Sequence, residues 1–85
     1  MAKEFYLKKF GKFHREVYVL WNKSIEMQVP WTIVEQIEAL CENCTALIDE
    51  TKTLTNEHRR WPLFEESYED LRVDYSFILN MLEAL

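Results

Sequence analysis

The sequence predicts an all-α fold, an antiparallel three-helix bundle running up, down and up. Three observations carry that expectation. Apolar residues recur at spacings of three and four along most of the 85-residue chain. Glycine occurs once, at Gly11, and proline twice, so few residues suit the tight turns of a multi-stranded sheet. Each proline stands beside a tryptophan, in Val29-Pro30-Trp31 and Trp61-Pro62, and these two junctions divide the chain into three helix-length pieces. Short connections between long helices favour antiparallel neighbours.

The first helix is expected over about residues 4–27. On a helical wheel Tyr6, Phe10, Phe13, Val17, Leu20 and Trp21 share one face, and Lys8, Lys12, Arg15 and Lys23 lie opposite. Gly11 weakens this helix by ~1 kcal/mol relative to alanine. A hairpin is the competing arrangement, with Phe5–Phe10 pairing across Gly11 with the β-branched and aromatic run Glu16–Trp21. No Asn-Gly or Asp-Gly turn supports it, and helix is preferred.

The second helix is expected over residues 32–56. Thr32 and Glu35 have capping-box spacing, in which each side chain satisfies a free backbone N–H at the helix start. Ile33, Ile37, Leu40, Cys41, Cys44, Leu47, Ile48 and Thr51 form its apolar stripe. Thr51, Thr53 and Thr55 lower helix propensity toward the end, where fraying is expected. The third helix is expected over residues 62–84. Pro62 suits a first helical turn, and Glu65 and Glu66 follow where negative charge complements the helix dipole. Phe64, Tyr68, Leu71, Tyr75, Ile78, Leu79 and Leu82 form the third stripe.

Charge is unevenly distributed. The net charge is −5, yet residues 1–23 hold six cations against Glu4 and Glu16, while residues 24–85 hold four cations against thirteen carboxylates. A basic opening segment can pair with the acidic remainder, with a second copy or with an acidic partner. The composition is too apolar for a disordered chain, and no run of 18 uncharged apolar residues is present to span a membrane. Lysines interrupt the N-terminal apolar residues, so no secretory signal is expected. Two cysteines do not make a disulfide framework, and a cytoplasmic setting is expected.

The candidate chemistry is sparse. Cys41-Glu42-Asn43-Cys44 is a C-x-x-C, but both cysteines fall on the apolar stripe, and a zinc site needs two further ligands. They read as small buried hydrophobes. Glu35-x-x-Glu38 and Glu66-x-x-Glu69, with Asp70 alongside, loosely resemble the paired acidic motifs of all-α nucleotide pyrophosphohydrolases. Such enzymes gather carboxylates around Mg²⁺. Here the acids fall on the solvent sides of their helices, and they read as solvated faces. His14 and His58 have no local partner for nucleophilic catalysis. No catalytic residue, cofactor or metal site is expected.

Two features suggest binding. The first is the basic stripe of Lys8, Lys12, Arg15 and Lys23, with Phe5 and Val19 on the same side. The second is an apolar edge of Val73, Phe77 and Met81 on the third helix, far round from its main stripe. Trp31 and Trp61 stand at the junctions, suited either to closing the bundle ends or to anchoring an interface. The expectation is a non-enzymatic interaction module, of adaptor or inhibitor type, that binds and modulates a protein partner. Val73, Phe77 and Met81 would make the apolar contact, and Lys8, Lys12, Arg15 and Lys23 the electrostatic one. Homodimerisation into a larger bundle is expected with it. RNA binding through the basic helix face is the alternative.

Overall fold

The structure is a computed structural model that describes residues 2–56 and 58–85. Three helices form, α1 (Ala2–Glu26), α2 (Trp31–Thr53) and α3 (Trp61–Glu83), in a rod of 44 × 18 × 16 Å. Cross-helix contacts give the directions. Trp21 meets Glu38 and His14 meets Thr45, so α1 and α2 are antiparallel. Lys9 meets Glu65 and Glu16 meets Arg72, so α1 and α3 are parallel. The up-down-up bundle is therefore the observed architecture.

Gly11 lies inside continuous α1, and no hairpin forms there. Packing of Phe10, Phe13 and Val17, all essentially buried, outweighs the weak propensity at Gly11. The α1–α2 connection is built by a left-handed residue. Gln28 has φ 54°, and Val29 N–H bonds back to Ser24 C=O while Gln28 N–H bonds to Ile25 C=O. This is the Schellman pattern, usually made with glycine at the left-handed position. Pro30 then prevents any continuation of α1.

The capping box expected at Thr32 does not form. Pro30 is the N-cap of α2, and its carbonyl accepts from Ile33 N–H at 2.9 Å and Val34 N–H at 3.3 Å. The helix starts at Trp31, so Thr32 already lies inside the first turn, past the position from which it would cap. At the other end α2 stops at Thr53, three residues earlier than expected, with Leu54 extended. Thr51 and Thr53 turn their hydroxyls back to the Leu47 and Glu50 carbonyls. The Lys3 ammonium donates to Lys52 C=O, and Asn56 Oδ1 accepts from Lys3 N–H. Lys3 thereby satisfies a carbonyl in the last turn of α2, and Asn56 satisfies a free N–H at the start of α1. Trp61 and Pro62 open α3 after Arg60, whose N–H donates to His58 Nδ1 at 3.0 Å.

The core has two parts. Phe13, Val17, Ile33, Ile37, Leu40, Cys44 and Ile78 fill the half nearer the α1–α2 connection. Phe10, Leu47, Trp61 and Phe64 fill the other half, and Tyr68 and Leu71 touch both. Val34, absent from the expected stripe, is buried, while Cys41 and Ile48 are half-buried. The α1 and α2 backbones approach closely, whereas α1 and α3 are spaced by aromatic rings. Phe13 meets Tyr68 and Tyr75 edge-on at 5.5 Å, and Phe10 lies 5.3 Å from Tyr68. The two junction tryptophans have different fates. Trp61 is buried, stacks on Tyr6 at 5.1 Å and donates its indole N–H to Asn56 C=O. Trp31 is 62% exposed.

Candidate interaction surface

The outer face of α1 presents Phe5, Lys8, Lys12, Arg15 and Val19, all exposed and spaced three, four, three and four residues apart. That spacing keeps them on one stripe for about 21 Å, at 1.5 Å per residue. The core face of α1 is set by Phe10, Phe13 and Val17, which turns this stripe outward. Cations at the α1–α3 interface are engaged across it. Lys9 pairs with Glu65 and lies 4.7 Å from the Tyr68 ring centre, and Arg72 pairs with Glu16 at 3.3 Å. The Glu65 contact pushes the Lys9 ammonium above its ordinary range. Among the described residues Lys8, Lys12 and Arg15 make no ion pair, so their charge remains available to a partner.

The residues expected to act together are distributed over different faces. Lys12, Arg15 and Val19 line a groove between α1 and α3, with Glu16 and Tyr75. Lys23 lies at the far end of the rod, beside an apolar pocket formed by Leu20, Met27, Val29 and Leu82. Phe77, 63% exposed, borders a groove between α2 and α3, and Val73 is exposed one turn earlier. Met81 differs from expectation. It is half-buried and packs against the core cluster, because the end of α3 meets the chain connecting α1 to α2. The exposed edge is thus Val73 and Phe77.

The α2–α3 groove has a character that no single motif announced. Asn43 lies midway along it, between Gln36, Ala39, Asp74 and Phe77 on one side and Ala46, Glu50, Ser67 and Asp70 on the other. Small exposed residues on α2 leave the groove open, and three carboxylates make it acidic. Along α3 its outer wall carries Ser67, Asp70, Asp74 and Phe77, and Leu63 continues the same spacing one turn before Ser67, all five exposed. Of these five, the sequence singled out Phe77 as an apolar contact and Asp70 only as the neighbour of an acidic pair. A three-four spacing on a second side of the helix was the available signal, hidden because the charged and apolar members alternate with no uniform class. Ile25, Met27 and Trp31 are further exposed apolar residues around the α1–α2 connection.

The other candidates occupy varied settings. Cys44 is buried and its thiol is pushed up to about 12, first by burial and then by Cys41. Cys41 is half-buried and also raised, by burial and then by Glu38 and Glu42. Both thiols are therefore poor nucleophiles near neutral pH. His14 Nε2 lies 3.2 Å from Thr45 Oγ1, and His58 accepts from the Arg60 backbone. Glu38 accepts a hydrogen bond from the Trp21 indole N–H, and Glu35, Glu66, Glu69 and Asp70 are exposed. Among the described residues no three His, Cys, Asp or Glu side chains gather to hold a metal ion, and no helix is long and apolar enough to cross a membrane.

Comparison with known protein families, curated proteins and solved structures returned no match.

Proposed function

We propose that the chain is a non-enzymatic helical interaction module that binds and modulates a protein partner through its solvent-facing helix surfaces. The observation that carries this reading is the exposure of Phe77 at the edge of an open groove between two helices. Large aromatic side chains contribute strongly where a partner buries them, and a groove between helices suits a third helix from outside. Lys8, Lys12 and Arg15, which make no ion pair among the described residues, add an electrostatic element that speeds encounter and orients the partner. RNA binding by the same cations is the competing function. It has less support, because three cations within about 10 Å of helix neutralise few phosphates on a chain of net charge −5.

Affinity capture from cell extract tests the proposal, with the wild-type chain, Phe77→Asp, and Lys8→Glu with Lys12→Glu as parallel baits. Far-ultraviolet circular dichroism first verifies that each variant remains helical. A protein retained by the wild type and lost on Phe77→Asp supports the module. Recovery of RNA that disappears only with the lysine changes favours the competing function. Unchanged capture by all three baits rejects both surfaces. Phe77→Asp should leave stability within about 0.5 kcal/mol of wild type, as surface changes do. A large loss of stability would mean that Phe77 belongs to the core.

A further inference from the structure

The outward stripes of α1 and α3 match each other residue by residue. From the start of α1 the exposed residues read apolar, basic, basic, basic, apolar: Phe5, Lys8, Lys12, Arg15, Val19. From the end of α3 backward they read Phe77, Asp74, Asp70, Ser67, Leu63. Both runs step by three, four, three and four. Laid antiparallel, Phe5 faces Phe77, Lys8 faces Asp74, Lys12 faces Asp70, Arg15 faces Ser67 with exposed Glu66 beside it, and Val19 faces Leu63. This is the alternation of layers by which antiparallel helices pack, each three-residue step meeting a three-residue step. In the corresponding parallel alignment every second layer is one residue out of register, and shifting by one layer to match the steps sets Lys8 against Leu63 and Val19 against Asp74.

We infer that α1 of one copy of this chain docks antiparallel along α3 of a second copy, over the acidic α2–α3 groove. The inference rests on the interaction-module reading and names the partner of those surfaces. Charge complementarity selects a second copy. The stripe on α1 carries three cations and no carboxylate, and the facing wall carries Asp70 and Asp74 with Glu50 across the groove. Ala39, Asn43 and Ala46 on α2 are small enough to admit the approaching side chains. Within one chain the two stripes cannot meet, because α1 packs on the opposite side of the shared core from the α2–α3 groove. The contact is heterologous: each copy offers one basic and one acidic face, so association continues head to tail unless rotation closes a ring. The facing charges remain near solvent, which makes the association salt-sensitive.

Sedimentation of the full chain over a range of concentrations tests this, at about 0.02 M and about 0.5 M salt. The expected result is mass that rises with concentration at low salt and falls back at high salt, where the screening length drops to a few ångströms. Lys8→Asp alone and Asp74→Lys alone should each weaken association about fivefold or more, by placing like charges opposite one another. Both changes in one chain should restore it to within about twofold of wild type, since the pair reforms with signs exchanged. That rescue is specific to the antiparallel register, because a parallel one would place Asp74 against Arg15. A chain that stays monomeric at low salt overturns the inference, as does a double variant no stronger than the single ones. If copies fail to associate while Phe77→Asp still abolishes capture of another protein, the module reading stands and only this partner is wrong.

Discussion

Glu16 accepts a hydrogen bond from Arg72 at 3.3 Å across the α1–α3 interface, seven residues along both helices from the pair Lys9–Glu65. The donor is on α3 in one pair and on α1 in the other. Seven residues are two helical turns, so both pairs lie on the same side of two parallel helices. A slip of α3 by one heptad would bring Arg72 opposite Lys9 or Glu65 opposite Glu16, and either mismatch opposes the slip. The Arg72 guanidinium also lies 5.0 Å from the Phe13 ring centre. Arg72→Ala should therefore destabilise the fold by about 0.5–1.5 kcal/mol, combining a partly exposed ion pair with a cation–π contact. Arg72→Lys should retain part of that stability. Urea unfolding followed by circular dichroism measures both, and an unchanged midpoint for Arg72→Ala would deny the contact any energetic weight.

Gly11 has helical backbone and open space where a side chain would start: a Cβ there meets nothing within 4 Å. Gly11→Ala should stabilise the chain by about 0.5–1 kcal/mol, because alanine loses less backbone freedom on folding and adds no clash. A rise of several degrees in melting temperature is the expected reading for a domain of this size. A fall would mean that residues 5–21 do not form one continuous helix.

Gln28 carries the opposite lesson. Its φ of 54° strains a residue with a side chain, whereas glycine adopts that conformation freely. Gln28→Gly should therefore be neutral or stabilising by up to about 1 kcal/mol, although glycine in a helix interior is destabilising by a similar amount. Gln28→Val, branched at Cβ, should lose stability. Paired thermal melts decide, and equal melting temperatures for the glycine and valine variants would remove the left-handed turn from the account.

The buried thiol makes stability depend on alkaline pH. Cys44 ionises at about 12 in the fold and at an ordinary value of 9.0 when unfolded, so the folded state holds its proton more tightly. Its contribution is fully present below pH 9 and is lost as pH rises from about 9 toward 12, by up to about 1.4 kcal/mol per pH unit. Cys44→Ala should flatten that part of the profile relative to wild type. At pH 8 a thiol-reactive chromogen should leave Cys44 unmodified until denaturant is added, when both cysteines react. Rapid modification of Cys44 in the native protein would contradict its burial.

Much of the fold is legible in the sequence because one property dominates it. Phe10, Phe13, Val17, Ile37, Leu40, Leu47, Phe64 and Ile78 recur with helical period, and packing three helices together buries them all. Pro30 and Pro62 limit where helices can continue, since proline cannot donate the backbone hydrogen bond of a helix interior. The same local logic misplaced the start of α2, because Thr32 has the chemistry of a cap but stands two residues beyond the position that needed one.

The candidate surface was legible only in part. Lys8, Lys12, Arg15 and Phe77 stand out in one dimension, since each contrasts with the buried stripe of its own helix. Whether Lys9 is spent on Glu65, whether Met81 packs inward, and whether the cations and Phe77 share a face depend on how the helices are arranged around one another. What the sequence alone determined is which side of each helix turns inward, for that follows from local periodicity and the cost of exposing apolar surface to water. Which outward residues of the described chain make no ion pair, and that α1 and the α2–α3 groove face opposite ways, only the tertiary structure decided, because those facts rest on distances between residues of different helices, far apart in the chain.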